Sequence, residues 1–187
     1  MPRGQARGHR ARDVLTDVTE PGGNDLDVTV GDFATTVVKG SFTLVYLAFS
    51  TIMNLTTQAQ QVACFRNAAT HLEPGGCFVI EVGVPGLQIL APGETIRPFH
   101  VSETRIGFDE YDAVTQSMTS HHLEIVESRA HRHSVPFRYA WPAEFDLMAQ
   151  LAGLTLRERR GGWQGEPFTS ESPKHISVWE RPLDEGG

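Results

Sequence analysis

An α/β fold with a parallel sheet and an inserted antiparallel meander is predicted by three features of this 187-residue sequence. Two continuous apolar runs, residues 42–49 (FTLVYLAF) and 77–84 (CFVIEVGV), have the composition of strands covered on both faces. Between them lies a segment with a helix-start signature, and strand, helix, strand with short links makes a right-handed parallel crossover. After Pro85 the pattern changes to short alternating segments, as in strands with one solvated face.

Each element has a local cause. Residues 1–24 read as irregular and end in the turn cluster Pro21-Gly22-Gly23-Asn24. The domain is expected over residues 25–182, with 183–187 as a tail. Asp27-Val28-Thr29-Val30 alternates and is β-branched, which predicts a short strand ending at Gly31-Asp32. Thr57 followed by Gln60 fits a capping box and opens a helix. Val62, Phe65, Ala69 and Leu72 form its apolar stripe, and Glu73-Pro74-Gly75-Gly76 stops it. Residues 94–139 hold three or four meander strands. Pro142 takes the first position of a second helix, with Phe145, Met148, Ala149 and Ala152 inward and Gly153 closing it. Two last strands are expected near residues 154–159 and 175–181.

Composition narrows the function classes. Net charge is −7, but Arg3, Arg7, Arg10 and Arg12 give the first twelve residues +4, leaving 12 basic and 23 acidic residues elsewhere. So acidic a body argues against nucleic acid, whose binders neutralise phosphates. The basic start reads as a solvated terminus and lacks the apolar core of a secretory signal. No run approaches the roughly 20 apolar residues of a membrane span. Cys64 and Cys77 make no disulfide framework and read as reduced, buried thiols, so the cytoplasm is the default compartment.

Taken in order, Gly31-Asp32-Phe33, the run ending Ala48-Phe49-Ser50, and Leu72-Glu73-Pro74-Gly75-Gly76 leading into Cys77–Val84 resemble the class I S-adenosylmethionine-dependent methyltransferases. The meander segment is similar to the small-molecule type that includes deoxysugar-amine N-methyltransferases. The resemblance implies a Rossmann-like sheet with S-adenosylmethionine lying across its carboxyl ends, where strand order reverses. It implies that Asp32 accepts from the adenine amine, that Phe33 packs on the ring, and that Ala48, Phe49 and Ser50 line the cofactor. Asn54, in the loop that follows, and the aromatics Tyr111, Tyr139, Trp141 and Trp163 are candidates to shape the small-molecule substrate's pocket, the aromatics serving equally well as core or lid packing. The family's glycine-rich loop after its first strand and the ribose-binding acid after its second have no counterpart in this sequence. An N-terminally truncated domain is therefore expected, whose strand at residues 42–49 lacks a neighbour. Three readings stay open: a methyltransferase, a non-catalytic remnant (a pseudo-enzyme or an interaction module that pairs its open sheet with another chain), and half of a split enzyme completed by an N-terminal chain.

Methyl transfer rests mostly on alignment of acceptor and donor, with a general base where the acceptor carries a proton. No catalytic residue is assigned. His100, His121, His122, His131 and His133 fall in the meander, and Glu81 near a strand end reads as a capped or cleft-facing carboxylate. His131 and His133 share a strand face, but no cysteine or acid cluster accompanies them, so no metal is expected.

Overall fold

The structure, a computed structural model, describes residues 28–127 and 129–183. Expectations for residues 1–24, Asp27 and residues 184–187 lie outside the described residues. Two compact units divide the chain, residues 1–30 and 31–187. Within the first, Val28, Thr29 and Val30 are exposed and irregular, so the strand expected there is not formed.

The second unit contains two four-stranded sheets. In the first, β1 (Phe42–Leu47), β2 (Leu72–Gly83), β8 (Lys174–Glu180) and β7 (Thr155–Arg160) lie in the order β1-β2-β8-β7. β1 and β2 are parallel, whereas β8 runs antiparallel to both its neighbours. The second sheet is the expected meander, in chain order: β3 (Ile96–Val101), β4 (Arg105–Asp112), β5 (Ser117–Val126) and β6 (Arg129–Arg138).

Helix α1 (Gln58–His71) starts at the capping box: the Gln60 N–H donates to Thr57 Oγ1 at 3.2 Å and the Thr57 N–H to Gln60 Oε1 at 3.1 Å. Its buried stripe is Gln61, Cys64, Phe65, Ala68 and His71, with the predicted Val62 and Ala69 on its margin. Glu73-Pro74-Gly75-Gly76 does not end the helix as expected. The helix has stopped at His71, and those four residues loop out of β2 between the Phe42↔Leu72 and Leu44↔Cys77 pairs. Gly75, at φ 81°, makes the excursion, and a Cβ on Gly76 would meet the carbonyl oxygens of Glu73 and Phe42 at 2.9 Å.

Helix α2 (Pro142–Leu151) begins with proline and buries Phe145, Met148 and Ala149. Ala152 lies past its end, half-buried, and Gly153 at φ 75° turns the chain away. Both helices meet one face of the first sheet. Phe65 of α1 packs edge-on to Phe78 of β2 at 5.1 Å and Trp179 of β8 at 5.2 Å, and stacks on Phe145 of α2 at 6.2 Å.

The expectation that residues 42–49 are covered on both faces is corrected here. Val45 and Leu47 pack on the core, but Leu44 and Tyr46, pointing the other way, are 52% and 65% exposed. The cause is that α1 and α2 both sit on the Phe78 side. Cys64 is buried as expected, whereas Cys77 is only half-buried.

The meander is tied to the helices by a buried polar knot. Arg138 donates to Gln61 Oε1, to Glu144 Oε1 at 2.6 Å and to Gln116 Oε1 at 3.1 Å. Glu144 also receives Gln58 at 2.8 Å and Gln116 at 2.7 Å. The charge buried at Arg138 is thereby fully paired, without which it would be strongly destabilising. Among the described residues no helix is long and apolar enough to cross a membrane.

Candidate functional site

Parallel strands β1 and β2 bring their carboxyl ends side by side, the position at which α/β sheets accept ligands. Here β1 ends in an unusual backbone. Phe49 and Ser50 both adopt positive φ, 55° and 58°, a region that residues other than glycine rarely enter. The Ser50 N–H donates to the Glu81 carbonyl at 3.0 Å, and the Phe49 N–H to Glu81 Oε2 at 3.2 Å. Ser50 Oγ accepts the Gly83 N–H at 3.1 Å, and Ala48 accepts the Thr51 hydroxyl at 2.6 Å. The Phe49 side chain projects from this turn, 91% exposed. Asn54 follows in the 3-10 turn Thr51–Asn54, its amide on the Thr51 carbonyl at 3.0 Å.

Glu81 itself is buried, and its second oxygen receives Lys174 Nζ at 2.7 Å. The Lys174 bond, helped by the Phe49 N–H, holds its carboxyl below the usual range against the opposing effect of burial. Glu81 is therefore a capped carboxylate that organises the strand end. Neither Lys174, 93 residues away in sequence, nor the left-handed turn carries a signal in the local pattern.

Asp32 and Phe33 lie on the preceding loop. Asp32 is exposed and receives the Ala34 N–H on Oδ1 at 2.8 Å, leaving Oδ2 without a partner among the described residues. Asn67 of α1 fixes the loop by donating to the carbonyls of Phe33 at 3.1 Å and Thr36 at 2.9 Å. Phe33 is half-buried and packs against the core. Burial, with the Asp32 charge second, pushes the Cys64 thiol up to about 12, so it is neutral and inert. No hydrogen bond among the described residues joins the Asp32 loop to the Phe49–Ser50 turn.

The acceptor candidates separate. Tyr111 and Tyr139 are buried, their rings 5.8 Å apart, and the Tyr139 hydroxyl donates to the Asp112 carbonyl. Trp141 precedes α2 at 38% exposure. Trp163 borders a shallow pocket of about 460 Å³ on the uncovered side of the first sheet, with Val79, Ile176 and Val178. A groove of about 670 Å³ lies at the opposite end of the strands, between Arg66, Leu151 and Arg181.

Of the meander histidines, His100, His131 and His133 are exposed and His122 is half-buried. His121 is buried: its Nε2 faces Glu110 Oε2 at 3.1 Å, while Nδ1 meets Ser134 Oγ at 2.8 Å and Arg132 Nη2 at 3.0 Å. Because arginine can only donate, Nδ1 is the acceptor and the Nε2–H points to Glu110. Among the described residues no three metal-ligating side chains converge.

No protein-family model matches the chain. It is 26% identical over 187 aligned positions to the cypemycin N-terminal methyltransferase of a Streptomyces species, covering 91% of this chain and 75% of that protein. Its fold is similar to the CcbJ methyltransferase of Streptomyces caelestis, with 34% identity and a TM-score of 0.73 over 82% of this chain. It also resembles the S-adenosylmethionine-bound amino pentose methyltransferase CalS10 of Micromonospora echinaspora, at 20% identity and a TM-score of 0.58 over 81% of the chain. In each of these two solved structures the match spans 63% of the longer chain.

Proposed function

We propose that this chain, a class I S-adenosylmethionine-dependent methyltransferase by resemblance, binds S-adenosylmethionine and takes part in methyl transfer to a small-molecule acceptor in the cytoplasm. The observation that carries this reading is the likeness to CcbJ, at 34% identity through 82% of the chain. When bound, S-adenosylmethionine supplies an electrophilic methyl group on a sulfonium. The residues present fit its adenine ring. Asp32 is exposed with one carboxylate oxygen free to accept from an amine, and Phe33 beside it is anchored through its own backbone to Asn67. Ala48, Phe49 and Ser50 stand at the carboxyl end of a parallel strand, with an aromatic ring turned outward. Trp141 and Asn54 retain exposed surface for an acceptor, whereas Tyr111 and Tyr139 support it from within. The chain's contribution is alignment, and no general base is assigned.

Calorimetric titration of the chain with S-adenosylhomocysteine, repeated with Asp32→Ala, tests the reading. Saturable binding that the substitution weakens by about tenfold is expected, the value of one good charge-assisted hydrogen bond. A folded chain that does not bind refutes it.

A second reading is favoured by β1. Its outer edge is unpaired among the described residues, and Phe42, Leu44 and Tyr46 are exposed along it. A strand from another polypeptide, a second copy or a complementing chain, would satisfy that edge. Sedimentation across a range of concentrations separates the readings: a strict monomer that binds the ligand excludes the need for a partner.

A further inference from the structure

Four described non-glycine residues have positive φ: Phe49, Ser50, Gln116 and Glu127. Gln116 and Glu127 stand singly in the turns between β4 and β5 and between β5 and β6, where hairpins require such backbone. Phe49 and Ser50 are consecutive and belong to no hairpin. They follow a parallel strand, and the chain continues into the 3-10 turn Thr51–Asn54. Strain of this kind persists only when its surroundings over-determine it, and it gathers at ligand sites.

What over-determines it is the neighbouring strand. Glu81 grips the turn twice, through Oε2 on the Phe49 N–H and through its carbonyl on the Ser50 N–H. Gly83, two residues on, donates to Ser50 Oγ at 3.1 Å. Lys174, on the other oxygen at 2.7 Å, prevents the carboxylate from turning away. The result is a phenyl ring 91% exposed, against 40% for Phe42 and 49% for Phe99.

We infer that Glu81, fixed by Lys174, is a positioning residue that holds Phe49 and Ser50 left-handed and so presents the Phe49 ring to the bound cofactor. The inference rests on the cofactor reading above and adds to it the residues that build the strand-end contact. It assigns Glu81 no chemistry of its own.

The test uses the full chain, titrated with S-adenosylhomocysteine, as wild type, Glu81→Ala, Lys174→Met and the double variant Glu81→Ala/Ser50→Gly. If losing the clamp leaves the turn competent in about one molecule in ten, apparent affinity falls about tenfold. Lys174→Met is expected to weaken binding less. Glycine at position 50 enters the left-handed region freely, so the double variant regains affinity although it lacks both the carboxylate and the Ser50 hydroxyl. A merely structural Glu81 would not be rescued from another strand. Hydrogen exchange on the ligand-free chain reads the clamp independently: the Phe49 amide exchanges faster in Glu81→Ala while those of Phe78 and Trp179 do not change. Wild-type binding that Glu81→Ala leaves intact, or an unaltered Phe49 amide, overturns the clamp alone. A wild type that does not bind, with Phe49 deprotected in the variant, overturns the cofactor reading and the ring's role with it.

Discussion

The apolar runs at residues 42–49 and 77–84, in β1 and β2, lie side by side and parallel, yet they end in opposite environments. Phe78, Ile80 and Val82 of β2 are fully buried beneath α1 and α2, and even Glu81 on its other face is enclosed. Leu44 and Tyr46 of β1 remain half or more exposed, and among the described residues the strand has one paired edge instead of two. The difference teaches that an apolar run reports the burial a strand is built for. Whether the burial is reached depends on neighbours that the run does not name. β2 has α1 on one side of the sheet and β8 on its edge, whereas among the described residues β1 has β2 and the helix face.

The largest expected effect is on β2. Phe78→Ala removes a ring packed against Phe65 and Trp179 and is expected to cost about 3–5 kcal/mol in urea unfolding. A loss below about 1 kcal/mol would show that this face repacks freely.

An intermediate effect is expected in the pH dependence of the same face. His175 pairs with Val82 in register, and its Nδ1 is hydrogen-bonded at 2.8 Å to Ser177 Oγ, which accepts Arg159 Nε at 2.7 Å. Burial, and then the Arg159 charge, lower its pKa to about 4. The unfolded chain, with an ordinary imidazole near 6.5, therefore binds more protons than the folded chain between those values. Stability is retained above pH about 6.5 and lost as pH falls toward 4, by at most about 3 kcal/mol. Melting temperatures across that window should fall less steeply in His175→Asn; equal slopes would mean the imidazole is not held neutral.

The smallest effect is expected on β1. Tyr46→Thr keeps the strand preference, removes an exposed ring, and should change stability by no more than about 0.5 kcal/mol. A cost like that of Phe78→Ala would break the contrast, because it would mean the open face of β1 is covered in solution.

Much of the scaffold was legible because its causes are local. Thr57 and Gln60 announce the start of α1, Pro142 and Gly153 bracket α2, and alternation after Pro85 gives the meander. The length of β2 was not, because Pro74, Gly75 and Gly76 read as a terminator while the strand pairs on both sides of them. The candidate site was legible only as a strand end. Asp32 stands out as an acid in a loop and Phe49 as the last residue of an apolar run, but the Glu81–Lys174 pair joins residues 93 apart and the left-handed turn is a tertiary constraint. Tyr111 and Tyr139 show the same limit from the other side, since an aromatic in an alternating strand carries no mark of whether it faces a ligand or a core.

The Arg138 knot bears on exchange of parts between proteins. A meander whose outermost strand ends in a buried guanidinium cannot be transplanted by cutting at residues 94 and 139. Gln116 travels with the extension, but the recipient would lack Gln61 on one helix and Glu144 on the other, the remaining described partners of that charge. A chimaera that carries this extension must carry those partners too, or replace all of them together with apolar residues. The unit of recombination is the extension plus the two helix faces beneath it.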